Sequence, residues 1–135
     1  MVKLSQIAVD PQKQAAGVWV PFFGDMELLI ASAKSPEFSA FVRETLRPLK
    51  KEYRGGKIKE KQMRELMAPG VAKHLLRGWR GYTEDDGKTE RPYSVEHATE
   101  LLLRADLAHM YDFVVKQSRE FGNFLQQELE DDLGN

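Results

Sequence analysis

From residue 35 onward the apolar side chains recur every three or four positions, and proline and glycine cut that pattern into short pieces. Each piece can form an amphipathic helix of a few turns, and none can bury its own stripe alone. Ser35-Pro36 is a strong helix start: a hydroxyl N-cap, then a proline whose missing N–H is no loss in the first turn. Phe38, Phe41, Val42, Thr45, Leu46, Leu49 and Tyr53 keep close to one face. Pro48 predicts a kink or break near Arg47, because an interior proline costs about 3 kcal/mol. Gly55-Gly56 closes that segment. Lys57 to Met67 carries Ile58, Met63, Leu66 and Met67; Ala68-Pro69-Gly70 is expected to part it from the next helix, with Pro69 in that helix's first turn.

The stretch from Val71 to Leu103 is central. Val71, Ala72, Leu75, Leu76 and Trp79 follow a spacing that places them on one helix face, so the sequence predicts a helix ending near Gly78 and Gly81. A polar loop from Gly81 to Tyr93 follows, with Asp86-Gly87 as its turn signal. It is longer than the ~4–6 residues usual between elements, a length typical of functional or mobile loops. Ser94 is placed to cap the next helix, whose apolar positions are Ala98, Leu101, Leu102 and Ala105. Asp106 is placed to cap the last. Its stripe runs from Leu107 through Met110, Tyr111, Val114, Ser118, Phe121 and Leu125 to Leu129, roughly 35 Å of helix at a 1.5 Å rise. Phe113, Val115 and Phe124 lie off that stripe, so the helix must bury more than one side.

Before residue 35 the signals are β-like. Val18-Trp19-Val20 and Phe22-Phe23 lead through Gly24-Asp25 to Leu28-Leu29-Ile30-Ala31, a hairpin in which Pro21 suits an edge strand. Ile7-Ala8-Val9 is a candidate third strand. Such a hairpin is marginal alone, so it must lie on the helices or pair with another copy. The expected fold is mainly α with a small N-terminal β-hairpin (α+β), in one domain over 1–135: hairpin region 1–34, helical region 35–135, and a long C-terminal helix.

Composition excludes several classes. The net charge is −1, so no global field favours nucleic acid or membrane. There is no cysteine, which removes disulfides, thiolate metal sites and cysteine nucleophiles together. Met1-Val2-Lys3-Leu4 leads into polar Ser5-Gln6, unlike a secretory signal, and no apolar run nears the ~20 residues of a membrane span. A soluble, intracellular protein is expected. His74, His97 and His109 fall on three different predicted helices without an i, i+4 ligand partner. Asp85-Asp86-Gly87 does not make a calcium loop, since Tyr82 and Tyr93 stand where the first carboxylate and the bidentate Glu belong. With no phosphate cradle or nucleophile motif either, no catalytic, cofactor-binding or metal constellation is expected, and the chain is read as a non-enzyme.

Charge is nevertheless segregated. Arg43 to Arg64 holds nine Lys or Arg against three Glu, a local +6, while Glu128, Glu130, Asp131 and Asp132 cluster at the other end. Besides two solvated faces, this admits head-to-tail attraction between copies, giving rings or open spirals. The self-association candidates are Trp19, Arg43, Lys50, Lys51, Glu128, Glu130 and Asp131.

The run Leu76-Arg77-Gly78-Trp79, an acidic-glycine loop, Pro92-Tyr93-Ser94-Val95-Glu96-His97-Ala98 and Leu101-Leu102 resembles the tail assembly chaperones of long-tailed (siphovirus-type) bacteriophages. Gly17-Val18-Trp19-Val20 and the acidic end are similar too. The resemblance implies a chaperone that binds the helical tape measure protein, keeps it soluble and helps recruit tail tube subunits through a longer frameshifted product. It also implies action in the host bacterial cytoplasm, self-association, and absence from the finished virion. Contact candidates are Trp79, Tyr82, Tyr93, Phe113 and Phe124, because aromatics dominate interface energetics. Trp79 is expected to serve mainly in core packing. A competing reading is a nucleic-acid-binding accessory protein using 43–64, although few aromatics interleave with its cations. Another is a structural tail component retained in the particle.

Overall fold

A computed structural model describes residues 1–126. The fold is α+β, as its sequence pattern predicts. The helices are α1 (Leu4–Ile7), α2 (Pro11–Ala16), α3 (Pro36–Leu46), α4 (Lys50–Arg54), α5 (Glu60–Gly70), α6 (Val95–Leu103) and α7 (Ala108–Ser118). The strands β1 (Val18–Phe23), β2 (Met26–Ile30) and β3 (Leu76–Arg80) make an antiparallel sheet in the order β1-β2-β3.

Local signals set several boundaries. Ser35 Oγ accepts the Phe38 N–H and Ser94 Oγ the His97 N–H, each at 3.0 Å, so both hydroxyl caps form. The hairpin pairs Trp19 with Leu29 and Val20 with Leu28, its register shifting at Pro21/Phe23. At Pro48 the α-helix gives way to a 3-10 turn, Arg47–Leu49, before α4. One hydrophobic cluster joins the sheet to the helices, with Leu28, Ile30, Leu75, Leu76, Leu102 and Val114 all fully buried.

Four expectations are corrected. Leu76–Arg80 is a strand, not the end of a helix, so the region after residue 34 is not wholly helical. β2 offers a free edge, and pairing Leu28 with Trp79 and Leu29 with Gly78 outweighs the helical spacing. Second, Pro69 lies in the last turn of α5, and the chain then widens into a π turn, Val71–Leu75, that delivers β3. Third, the helix expected from Leu107 onward is short: α7 ends at Ser118, a 3-10 turn follows at Phe121–Phe124, and Leu129 lies outside the described residues. The last carbonyls of α7 are taken, Gln117 O by Asn123 Nδ2 at 3.0 Å and Ser118 O by the Ala33 N–H at 2.9 Å. Asp106 does not cap it; that carboxylate pairs with Arg104 at 2.7 Å. Fourth, Val9 stays outside the sheet and bridges Leu125. The Asp10 N–H donates to Phe124 O at 2.7 Å and Lys13 Nζ to Leu125 O at 2.9 Å, closing the start of the chain on this segment.

At Gly70 the Phe41 ring lies where a side chain would stand: a Cβ there would come within 2.1 Å of it. Gly70→Ala is therefore expected to lose about 2 kcal/mol net. Overpacking at the upper end of ~1–3 kcal/mol outweighs the ~1 kcal/mol alanine gains in a helix. Urea unfolding of both single variants and of Gly70→Ala with Phe41→Leu should show the pair less destabilised than the two losses added.

Candidate interaction surface

The structure gathers three of the sequence-named aromatics into one nest. Trp79, on β3, meets Tyr93 edge-on at 4.9 Å, Tyr82 at 5.7 Å and His97 at 5.4 Å. Its Nε1–H donates to Arg91 O at 2.8 Å. The Tyr93 hydroxyl reaches the carbonyls of Ala72, at 2.6 Å, and of Leu76, holding the π turn. Tyr82 Oη faces His97 Nε2 at 3.2 Å. Burial raises the pKa of both tyrosines, with the Glu84 carboxylate adding to the effect at Tyr82. The loop over this nest is internally bonded. Asp86 Oδ1 accepts the N–H groups of Lys88 and Thr89 at 2.8 Å each, and Arg91 pairs with Glu84 at 2.8 Å. Hydrogen bonds from Thr89, its side chain first, hold the Asp86 carboxyl down at about 2.

Trp79 is 8 % exposed and Phe124 1 %, so both rings are covered by their own chain. Phe113 is half-buried against Phe22 at 4.8 Å and ties α7 to β1. Trp19 is exposed on the outer face of the sheet with the Arg80 guanidinium 4.0 Å over its ring. Glu128, Glu130 and Asp131 lie outside the described residues. His74 packs among Phe38 and Phe41; burial and then the Lys73 charge lower its pKa. Among the described residues no group of three or more His, Cys, Asp or Glu converges as a metal site, and no helix is long and apolar enough to cross a membrane.

Open apolar surface collects elsewhere, in a groove between α3, α4, α5 and α7. Phe38, Val42 and Leu46 come from α3, Tyr53 from α4, Met63 and Met67 from α5, and Tyr111 and Val115 from α7. The groove encloses about 290 Å³ and continues past Val42, Leu46 and Tyr53 into a hollow of about 480 Å³ at the α3–α4 corner. That corner is rimmed by Arg43, Arg47, Lys50 and Arg54, with Arg119 at the α7 side. Of these five, only Arg47 has an ion pair among the described residues, to Glu44 at 2.8 Å. Lys51 is exposed but does not line the groove. Tyr53 is 53 % exposed, too open for a core residue. Two methionines in the wall allow it to adapt to different contours.

The signal for this site was present as a spacing. Arg43, Arg47, Lys50 and Arg54 recur at i, i+4, i+7 and i+11, one helical side, next to the apolar stripe from Phe38 to Tyr53. Read only as a net charge, the basic segment did not reveal that its cations border an apolar trough.

A family model described as YdaY prophage protein matches residues 33–135, most of the chain. The chain belongs to the YdaY prophage protein family. It is thus phage-derived. No curated protein and no solved structure matches it. The YdaY region holds every residue named in the groove and its rim, whereas β1 and β2 precede it.

Proposed function

We propose that this YdaY-family chain is a tail assembly chaperone. It holds the tape measure protein, a long amphipathic helix, by laying apolar turns of that helix into the groove between α3, α4, α5 and α7. The supporting observation is that groove: an adaptable apolar trough with an exposed tyrosine and a cationic border, on a phage-derived chain. A tape measure helix cannot hide its stripe until tail tube subunits enclose it, and a surface of this kind shields it meanwhile. In this reading the chain has no catalytic step and needs no cofactor. It acts in the host cytoplasm, reaches the tube protein through a longer frameshifted form, and leaves before the virion is finished.

Co-expression tests it. The tape measure protein is expected to shift from the insoluble to the soluble fraction with this chain, and to copurify with it. Tyr53→Ala, at an exposed position, should leave folding within ~0.5 kcal/mol while weakening capture roughly tenfold or more. A tape measure protein equally insoluble with and without the chain removes the holding role. The four cations around Tyr53 also favour a second reading, single-stranded nucleic acid tracked by charge and stacked on that ring. Tight nucleic-acid binding with a steep salt slope would support it over the first.

A further inference from the structure

The same groove has a second ligand in the chain's own sequence. Residues 127–135 read Gln-Glu-Leu-Glu-Asp-Asp-Leu-Gly-Asn: four carboxylates, no cation, and two leucines four positions apart. At helical spacing Leu129 and Leu133 share one side, with acids flanking them. The groove presents the complement: an apolar floor from Val42, Leu46 and Met63, bordered by cations of which Arg43, Lys50 and Arg54 have no ion-pair partner among the described residues.

We propose that the groove of one copy receives residues 127–135 of a second copy, so that the chaperone associates head to tail and keeps its client site covered until a client displaces the segment. This rests on the groove being a surface for amphipathic helices, as argued above. Geometry favours a neighbouring copy over the segment's own chain. The described chain leaves at Gln126, whose N–H donates to Ala8 O at 2.9 Å, beside α2 and the end where α3 begins. Lys50 and Arg54 lie beyond the other end of α3, on α4. Nine residues at helical rise cover only ~14 Å, less than α3 itself at ~16 Å. A contact between two unlike surfaces adds subunits in a ring or an open spiral.

The test uses full-length chains and sedimentation velocity at low and high salt. Wild type is expected to self-associate, and less at high salt. Arg43→Gln/Lys50→Gln/Arg54→Gln removes the receiving charges and Glu128→Gln/Glu130→Gln/Asp131→Asn the donated ones. All three rim positions are exposed, so that variant should keep its circular dichroism spectrum. Each variant alone should associate roughly tenfold more weakly or worse. Mixed, they should form dimers and nothing larger, since only one sound groove and one sound acidic segment can meet. A wild type that stays monomeric at low salt overturns the proposal, as does an acid-neutralised variant that assembles like wild type. Client holding is read separately by co-expression. An acid-neutralised chain that solubilises the tape measure protein but no longer self-associates separates the two functions, so a failure of holding and a failure of self-association are told apart.

Discussion

Trp79→Ala is expected to remove about 3–5 kcal/mol from the unfolding free energy, the usual cost of deleting a large buried aromatic. The ring is 8 % exposed and is the common neighbour of Tyr82, Tyr93 and His97. Its loss would empty the centre of that nest and leave the Arg91 carbonyl without the indole donor. Trp79→Phe keeps most of the packing and loses the hydrogen bond, a change of about 1–2 kcal/mol. Urea unfolding followed by circular dichroism measures both. A loss below ~1 kcal/mol for the alanine variant would show that the ring contributes little to the fold, and would return it to the contact surface.

Gly81→Ala is the second large effect. Gly81 has φ +80°, and a Cβ there would stand 2.1 Å from the Asp25 carbonyl oxygen. Two costs combine. The left-handed backbone strains any L side chain by ~1–3 kcal/mol, and the displaced hairpin backbone adds ~1–3 kcal/mol more. About 3 kcal/mol or more should be lost, seen as a fall in Tm of roughly 10 °C for a chain of this size. Gly87 is the control: φ is +71° there too, but nothing lies within 4 Å of its would-be Cβ. Gly87→Ala should show the backbone strain alone. If the two alanine variants melt together, the close approach at Asp25 has no energetic weight.

What could be read in advance was what local chemistry decides. Ser35, Ser94 and Pro48 act within one turn of themselves, and each set the boundary that its side chain dictates. The hairpin at Val18–Ile30 announced itself by β-branched and aromatic runs around Gly24-Asp25. Leu76–Arg80 went the other way because its fate depends on a partner 46 or more residues earlier in the chain. Its own pattern is divided. Leu76 and Trp79 fit a helical face with Val71 and Leu75, while buried Leu76 and Gly78 around exposed Arg77 fit a strand. Only the free edge of β2 settles the choice. The short α7 has the same kind of cause, since Ala33, far away in sequence, claims the Ser118 carbonyl. As for the groove, its parts were visible singly, as a stripe and as a charge run. That they border one another follows from how α3, α4, α5 and α7 come together around the groove, which no spacing within one segment encodes.

The order of the sheet decides where the chain can be cut. β1 and β2 end before residue 33, where the YdaY match begins, and β3 comes well inside it. A piece trimmed to the shared region would keep β3 as an orphan, its hydrogen-bonding groups bare and Leu75 and Leu76 stripped of the cover Leu28 and Ile30 provide. Bare ribbons of that sort recruit whatever strand is at hand. The boundary of kinship and the boundary of the self-sufficient folding unit therefore do not coincide, and cutting at the first would manufacture an aggregation seed.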